Sequence, residues 1–334
     1  MRLAVIIPVY NGREHLVHCL AAIKRSSRMP DELLVVDDGS TDGSGALAAE
    51  MGARVLRLGE RPQGPAVARN RAAAVCQADI LVFVDADVAL HSDALGRMEA
   101  YLGAHPEVSA LFGSYDDAPA DPGLVSRYKN LFHHYTHQHG RREASTFWAG
   151  CGAIRREAFW AAGGFPEGYT QPSIEDIALG MHLRRYGHRI WLCPEIQGTH
   201  LKRWTFGNML KTDIFQRAIP WGNLMLREGR LASDLNLDWR NRLGAMLALL
   251  ALLGLLGTPL WLWAGGVTIA ALLGLVWLNA DLYRFFFRHG GWRFALGAAG
   301  LHLLYLLYSS AALGYCFLHH TWSRLRAKQS AEPL

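Results

Sequence analysis

The chain has 334 residues, 51 % of them hydrophobic and 19 % charged, with a formal net charge of +5. That length holds one large domain or two ordinary ones, each with a sizeable core. The positive balance favours anionic partners, but no RNA-binding signature or zinc-finger spacing accompanies it, which argues against nucleic acid and leaves membrane phosphates.

The opening MRLAVIIPVYNG has one basic residue and a short apolar run broken by Pro8 and Asn11, unlike a cleavable leader. The expectation is that the N-terminal part stays on the side of the membrane where it is made. Residues 3–8 are apolar and rich in β-branched side chains, which predicts a buried parallel strand. Residues 14–24 place Leu16, Leu20 and Ile23 on one helical face. A second strand over 33–36 runs into Asp37-Asp38-Gly39-Ser40. A helix over 44–51, a strand over 54–58, a helix over 65–76 and a strand over 80–84 follow. This alternation predicts βαβ units in an open, Rossmann-like α/β sheet, where ligands bind beyond the carboxyl ends of the strands.

Beyond that point the pattern is less regular. Phe147-Trp148-Ala149-Gly150-Cys151-Gly152 reads as a Gly-rich loop against a ligand. Ser173 is the expected N-cap of a helix that runs to Arg185 and ends at Gly187. Residues 189–193 read as a strand. Residues 204–230 are aromatic, basic and amphipathic, as suits a membrane surface. Residues 243–263 are long enough to cross a bilayer and carry no charge. Residues 265–280 and 294–318 are two further candidates, separated by the aromatic, basic stretch 281–293. The domains expected are therefore a soluble domain over 1–203, interfacial helices over 204–242, two or three transmembrane helices over 243–320, and a tail over 321–334. Arg240, Arg242, Arg284, Arg288 and Arg293 would share the cytoplasmic side, with Arg324, Arg326 and Lys328 across the membrane. The five cysteines form no CxxC pair and read as reduced thiols.

The chemistry concentrates at the strand ends. In LVFVDADVAL a buried strand ends in Asp85-Ala86-Asp87, and two carboxylates there need compensation. A divalent cation such as Mg2+ or Mn2+ supplies it, and so does an ordinary polar turn. Asp37-Asp38 ends a neighbouring strand, and Arg69-Asn70 lies on an intervening helix where a cation reaches a phosphate. His133 and His137 have a zinc-compatible spacing but no partner with the usual signature, so packing or acceptor-loop roles are preferred.

Taken in order, VIIPVYNG, VVDDGSTDGS, GPAVARN, FVDAD, WAGCGAIRREAF, GGF and IED resemble the motif series of family 2 glycosyltransferases, over residues 3–205. The resemblance implies the GT-A fold, a nucleotide-diphosphosugar donor, a divalent metal and inversion at the anomeric carbon. It implies that Pro8, Val9, Tyr10 and Asn11 line the base and ribose and that Asp38 bonds the base. Arg69 would lie near the phosphates and Asp85 near the ribose, while Asp87 would bind the metal and Cys151 and Gly152 would border the sugar. Asp176, after Glu175 in the donor site, matches the catalytic base. Arg203-Trp204 resembles the end of the QxxRW motif of processive synthases, but His200 stands at the Gln position. That departure points to a non-processive enzyme with His200 as a second metal ligand. Lys202, Arg203 and Trp204 would face the diphosphate or an acceptor phosphate. The expected protein is an integral membrane enzyme of a bacterial inner membrane, with a cytoplasmic catalytic domain and a lipid acceptor. Three readings compete with it. A haloacid-dehalogenase phosphatase would place its acidic pair after DADV, not before it. A degenerate nucleotide-sugar scaffold would lack a base or a metal ligand. A transferase acting on a soluble or polysaccharide acceptor remains the third.

Overall fold

The computed structural model describes residues 1–228 and 239–329. The chain divides into two compact units, Met1–Arg203 and Trp204–Leu334.

The first unit opens with β1 (Leu3–Val9), α1 (Arg13–Lys24), β2 (Glu32–Asp37), α2 (Ser44–Glu50), β3 (Arg54–Arg57), α3 (Pro65–Val75) and β4 (Ile80–Val84). It continues with β5 (Val88–Leu90), α4 (Ala94–Ala104), β6 (Val108–Tyr115), α5 (Leu124–His139) and β7 (Glu143–Ala144). β8 (Cys151–Arg155), α6 (Arg156–Ala161), α7 (Glu175–Arg185) and β9 (Arg189–His200) complete it. One sheet runs β3-β2-β1-β4-β8-β6-β9-β5, with β7 added on β9. The pairs β3–β2, β2–β1 and β1–β4 are parallel. Beyond β4 the sheet becomes mixed, with β8 antiparallel to both β4 and β6.

Burial on both faces explains the continuous apolar runs. From β4, Ile80, Val82 and Val84 pack with Leu16, Cys19 and Leu20 of α1 and Met98 of α4. Phe83 points the other way, against Phe159 and Phe165.

Three expectations change. Cys151 and Gly152 are not loop residues: they open β8, opposite Val84 and Phe83 of β4. A Cβ on Gly152 would lie 2.4 Å from Phe147 Cζ and 2.5 Å from the Trp148 carbonyl. Glycine there lets a turn close on the strand it feeds. Ser173 does not cap α7, which starts at Glu175 with Ile174 before it and no side-chain cap. The Glu175 carboxylate instead accepts the Ser173 N–H at 2.9 Å. The strand read over 189–193 continues to His200. Its pairing with β6 skips from Phe112↔Leu192 to Ser114↔Gln197, so Pro194, which has no N–H, sits in an irregularity. Past it, β9 pairs antiparallel with β5, setting His200 opposite Val88.

The second unit is helical. Thr205 caps α8 (Phe206–Lys211) in a capping box with Asn208. A π-helical turn (Thr212–Ala218) joins it to α9 (Ile219–Glu228). α10 (Trp239–Gly257), α11 (Leu262–Leu278) and α12 (Ala280–Gln329) follow. Among the described residues two helical stretches are long and apolar enough to cross a membrane, Trp239–Gly257 and Ala280–Arg324, whereas Leu262–Leu278 is shorter. The first candidate ends at Gly257 rather than 263, because Pro259 two residues on cannot continue the helix. Gly291, with φ 71° and ψ −174°, breaks α12 into two helices, so that most of the stretch 281–293 forms a helix separate from the one that follows. The parts of the expected interfacial region at 229–238 and of the tail at 330–334, and the Lys328 side chain, lie outside the described residues. Within this unit the buried Asp213 carboxylate accepts the Tyr308 hydroxyl at 2.5 Å, which fastens the π turn to α12.

Arg28 ties the start of the sheet together through Asp31 at 2.8 Å and Glu99 at 2.7 Å, and Asp31 also accepts the Leu3 N–H. The Leu3 amide and Arg28 hold the Asp31 carboxyl below its ordinary range, and Arg28 does the same for Glu99. Carboxylates with depressed folded values stabilise above their unfolded value, about 4, and that contribution is lost as pH falls through the folded value. Thermal unfolding of the detergent-solubilised protein is therefore expected to show a midpoint that falls below about pH 4, with a shallower fall in Asp31→Asn.

Candidate active site

The carboxyl ends of β1, β2 and β4 present Pro8 to Asn11, Asp37-Asp38 and Asp85 to Asp87 at one edge of the sheet. Val9 is buried and Tyr10 is 53 % exposed, so the chain emerges from the core between them. Asn11 adopts φ 49°, and its side-chain oxygen accepts the Thr41 N–H at 2.8 Å. Asn tolerates this left-handed geometry better than most residues. The Asp38 carboxylate accepts the N–H groups of Gln63 and Gly64, both at 2.8 Å, and so holds the loop entering α3.

Arg69 occupies the centre. It is 4 % exposed and donates to Asp85 at 2.7 Å and to Glu175 at 2.9 Å. Its guanidinium lies 5.3 Å from the centre of the Phe165 ring. Burial would lower its pKa, but Asp85, Glu175 and Asp176 outweigh that and raise it. The adjacent Asn70 bonds the Phe165 backbone in both directions, at 2.9 Å each, and reaches Glu167. One turn of α3 thus binds the end of β4, the 163–167 loop and the start of α7.

Asp176, next to Glu175, is half-buried at the α7 N-terminus. Its carboxylate accepts the Ile177 N–H at 2.8 Å and the Ala149 N–H at 3.2 Å. These contacts aim it across the turn before β8.

His200 is brought to the aspartates by the β9–β5 pairing. Its Nε2 lies 3.4 Å from Asp87 Oδ2, and the Leu201 N–H donates to the Asp87 carbonyl at 2.8 Å. The ring stacks on Tyr115 at 4.3 Å and 8°. Its Nδ1 lies 2.5 Å from Asn130 Oδ1 on α5. Burial pushes the Asp87 carboxyl up, but His200, Lys202 and His15 outweigh it and hold it at about 2. Burial raises Asp85, reinforced by Asp87 and only partly opposed by Arg69. The two carboxylates of the motif therefore differ: Asp85 is taken by Arg69, whereas Asp87 faces His200.

Cys151 is fully enclosed, its thiol pushed up to about 12 by burial, and it presents no surface at this edge. Arg203 is largely exposed, 3.7 Å from Asp121, and the buried Trp204 opens the second unit. The His133 and His137 rings lie against one another at 4.0 Å, tilted by 38°, and His137 Nδ1 bonds the Gly113 carbonyl at 2.9 Å, which is packing against β6. Asn130, Tyr115 and His15 were not legible in the sequence. Asn130 and Tyr115 lie outside every motif quoted above, and His15 looks like any polar helix residue.

No group of three or more His, Cys, Asp or Glu side chains that could hold a metal ion occurs among the described residues. Asp87 and His200 still suit a shared ion. A carboxylate oxygen and an imidazole nitrogen fit Mn2+ or Mg2+ when a bound diphosphate and water supply the other positions.

Residues 4–163 match the sequence profile of Glycosyl transferase family 2. The first unit thus carries a domain of that family. Among similar proteins, the O-antigen chain rhamnosyltransferase RfbN of Salmonella typhimurium is 26 % identical over 238 residues, covering 66 % of this chain and 74 % of that protein. A PGL/p-HBAD biosynthesis glycosyltransferase of Mycobacterium bovis is 32 % identical over 115 residues, but these cover only 33 % of this chain and 45 % of that protein. The mannosyltransferase PcManGT from Pyrobaculum calidifontis, solved in complex with GDP-Man and Mn2+, superposes with a TM-score of 0.57 at 19 % identity, covering 93 % of this chain and 86 % of that one. The glycosyltransferase therefore has the GT-A fold, an open mixed sheet followed by apolar C-terminal helices.

Two substitutions separate structural from chemical roles. Arg69→Ala removes the positive partner of the 5 % exposed Glu175 and is expected to cost about 3–5 kcal/mol in unfolding experiments. Gly152→Ala forces a Cβ against the Trp148 backbone and is expected to cost about 1–3 kcal/mol, read as a lowered Tm.

Proposed function

We propose that this glycosyltransferase moves a sugar from a UDP- or GDP-sugar to a membrane-associated acceptor, with inversion at the anomeric carbon. The observation that carries the reading is the convergence of two carboxylate systems. Asp87 faces His200 at 3.4 Å, and Arg69 ties Asp85 to Glu175, the neighbour of Asp176.

Asp176 is the general base that takes the proton of the attacking hydroxyl. Two backbone N–H groups fix its orientation at the start of α7. Asp87 and His200 would hold Mg2+ or Mn2+ together with the donor diphosphate. A bound divalent ion would offset the charge that develops on the departing diphosphate. Pro8 to Asn11 and Asp38 border the nucleoside side. Arg69 acts from behind Asp85, keeping that carboxylate and the α7 start in register. Lys202 and Arg203 offer positive charge to a phosphate. Cys151 and Gly152, buried in β8 behind this edge, offer no surface to the sugar.

A lipid-linked acceptor is supported by the two helices long enough to span a membrane and by similarity to proteins named for O-antigen chain and PGL/p-HBAD biosynthesis. His200 in place of Gln supports single-sugar transfer over polymerisation. A catalytic unit on the cytoplasmic side is where nucleotide sugars are available.

The test is thermal unfolding of the detergent-purified protein with UDP or GDP, each with and without Mn2+. One nucleotide is expected to stabilise only when Mn2+ is present, and Asp87→Ala is expected to lose the effect. Asp176→Asn should keep that stabilisation while kcat falls by roughly 100- to 10,000-fold. Stabilisation by neither nucleotide would return the site to a degenerate scaffold, and a wild-type kcat in Asp176→Asn would remove it as the base.

A further inference from the structure

Asn130 is buried to 2 % exposure on α5, and its side-chain oxygen meets His200 Nδ1 at 2.5 Å. A carbonyl oxygen only accepts, so Nδ1 carries a proton, and Nε2 is left facing Asp87 Oδ2, 3.4 Å away. The helix that carries Asn130 is itself fixed against β6. His134 Nδ1 bonds the Tyr115 carbonyl at 2.8 Å, and His137 Nδ1 bonds that of Gly113 at 2.9 Å. Tyr115 in turn stacks flat on His200. The imidazole is therefore held in the plane by Tyr115 and around its axis by Asn130.

A purely structural explanation of Asn130 is weak. Its Nδ2 is buried with no hydrogen-bond partner among the described residues. A buried amide left half-satisfied destabilises a fold, and the one bond its side chain makes is to the imidazole.

We propose that Asn130 is a positioning residue for the metal centre: it fixes the tautomer and orientation of His200, so that Nε2 is presented to a divalent ion shared with Asp87. The inference rests on the proposed role of Asp87 and His200 as metal ligands. Ligands oriented in this way typically lose roughly 10- to 100-fold in metal affinity when the orienting group is removed.

The experiment uses the full-length, detergent-purified protein and Mn2+ as probe, followed by EPR in the presence of UDP and of GDP. Wild type is expected to bind Mn2+ with a nitrogen modulation in the spin-echo signal that is absent from His200→Ala. Asn130→Leu is expected to fold with a modestly lowered Tm, to bind Mn2+ roughly 10- to 100-fold more weakly, and to lose the nitrogen modulation. Asn130→Asp, which keeps an oxygen at the same place, should restore both. Adding Asn130→Leu to His200→Ala should cause no further loss, because Asn130 acts through the imidazole. Nitrogen-15 NMR of wild type, with His200 assigned by its loss in His200→Ala, should find the proton on Nδ1, and that measurement needs no Asn130 variant. Wild-type affinity and modulation in Asn130→Leu, or an Nδ1 without a proton, would overturn the inference alone. Failure of wild type to bind Mn2+ with either nucleotide would overturn the metal-dependent reading beneath it as well.

Discussion

Arg69 sits at the carboxyl edge of the sheet with almost no access to water, and a buried guanidinium must be neutralised where it stands. Its two partners come from distant parts of the chain, Asp85 from the end of β4 and Glu175 from the start of α7. Neither can move away without stranding a charge in the interior. The position of Asp176 follows from this constraint, since it adjoins Glu175 and is aimed by the Ala149 and Ile177 amides. The same turn of α3 fixes the intervening loop through Asn70. A single ion-pair system thus sets the distance between the donor edge of the sheet and the helix that carries the proposed base.

A second constraint works from the opposite side. β9 runs twelve residues, tolerating Pro194 through a break in its pairing with β6, and then turns its last three to β5. That pairing sets His200 beside Asp87, and α5 and β6 close around the imidazole. The two aspartates of one motif consequently have different partners. Asp85 completes an internal ion pair, and Asp87 faces the imidazole.

The second unit follows different rules. Its helices associate through small residues, with Gly244, Ala248, Ala251 and Gly254 buried along α10, while leucines cover much of its outer face. Charges inside it are few, and the buried Asp213 is met by Tyr308.

The parallel half of the sheet was legible in the sequence because strands buried on both faces must be apolar throughout, and helices between them must show one apolar face. The strand-end aspartates stood out for the same reason, as carboxylates closing runs that have no other use for charge. The later elements were less legible. A glycine in β8 reads as a loop, since nothing local shows that Phe147 and the Trp148 carbonyl would crowd a side chain there. Pro194 reads as the end of a strand, since nothing local shows that β6 would absorb it. The sequence by itself determined the fold class, the family resemblance and the aspartates at the strand ends, because each depends on residues close together in the chain. Only the tertiary structure decided that Arg69 bridges Asp85 and Glu175, that His200 faces Asp87, and that Asn130 bonds it. Those contacts join residues 16, 106, 113 and 70 positions apart, and a pairing over such distances is fixed by packing and charge neutralisation rather than by any local pattern.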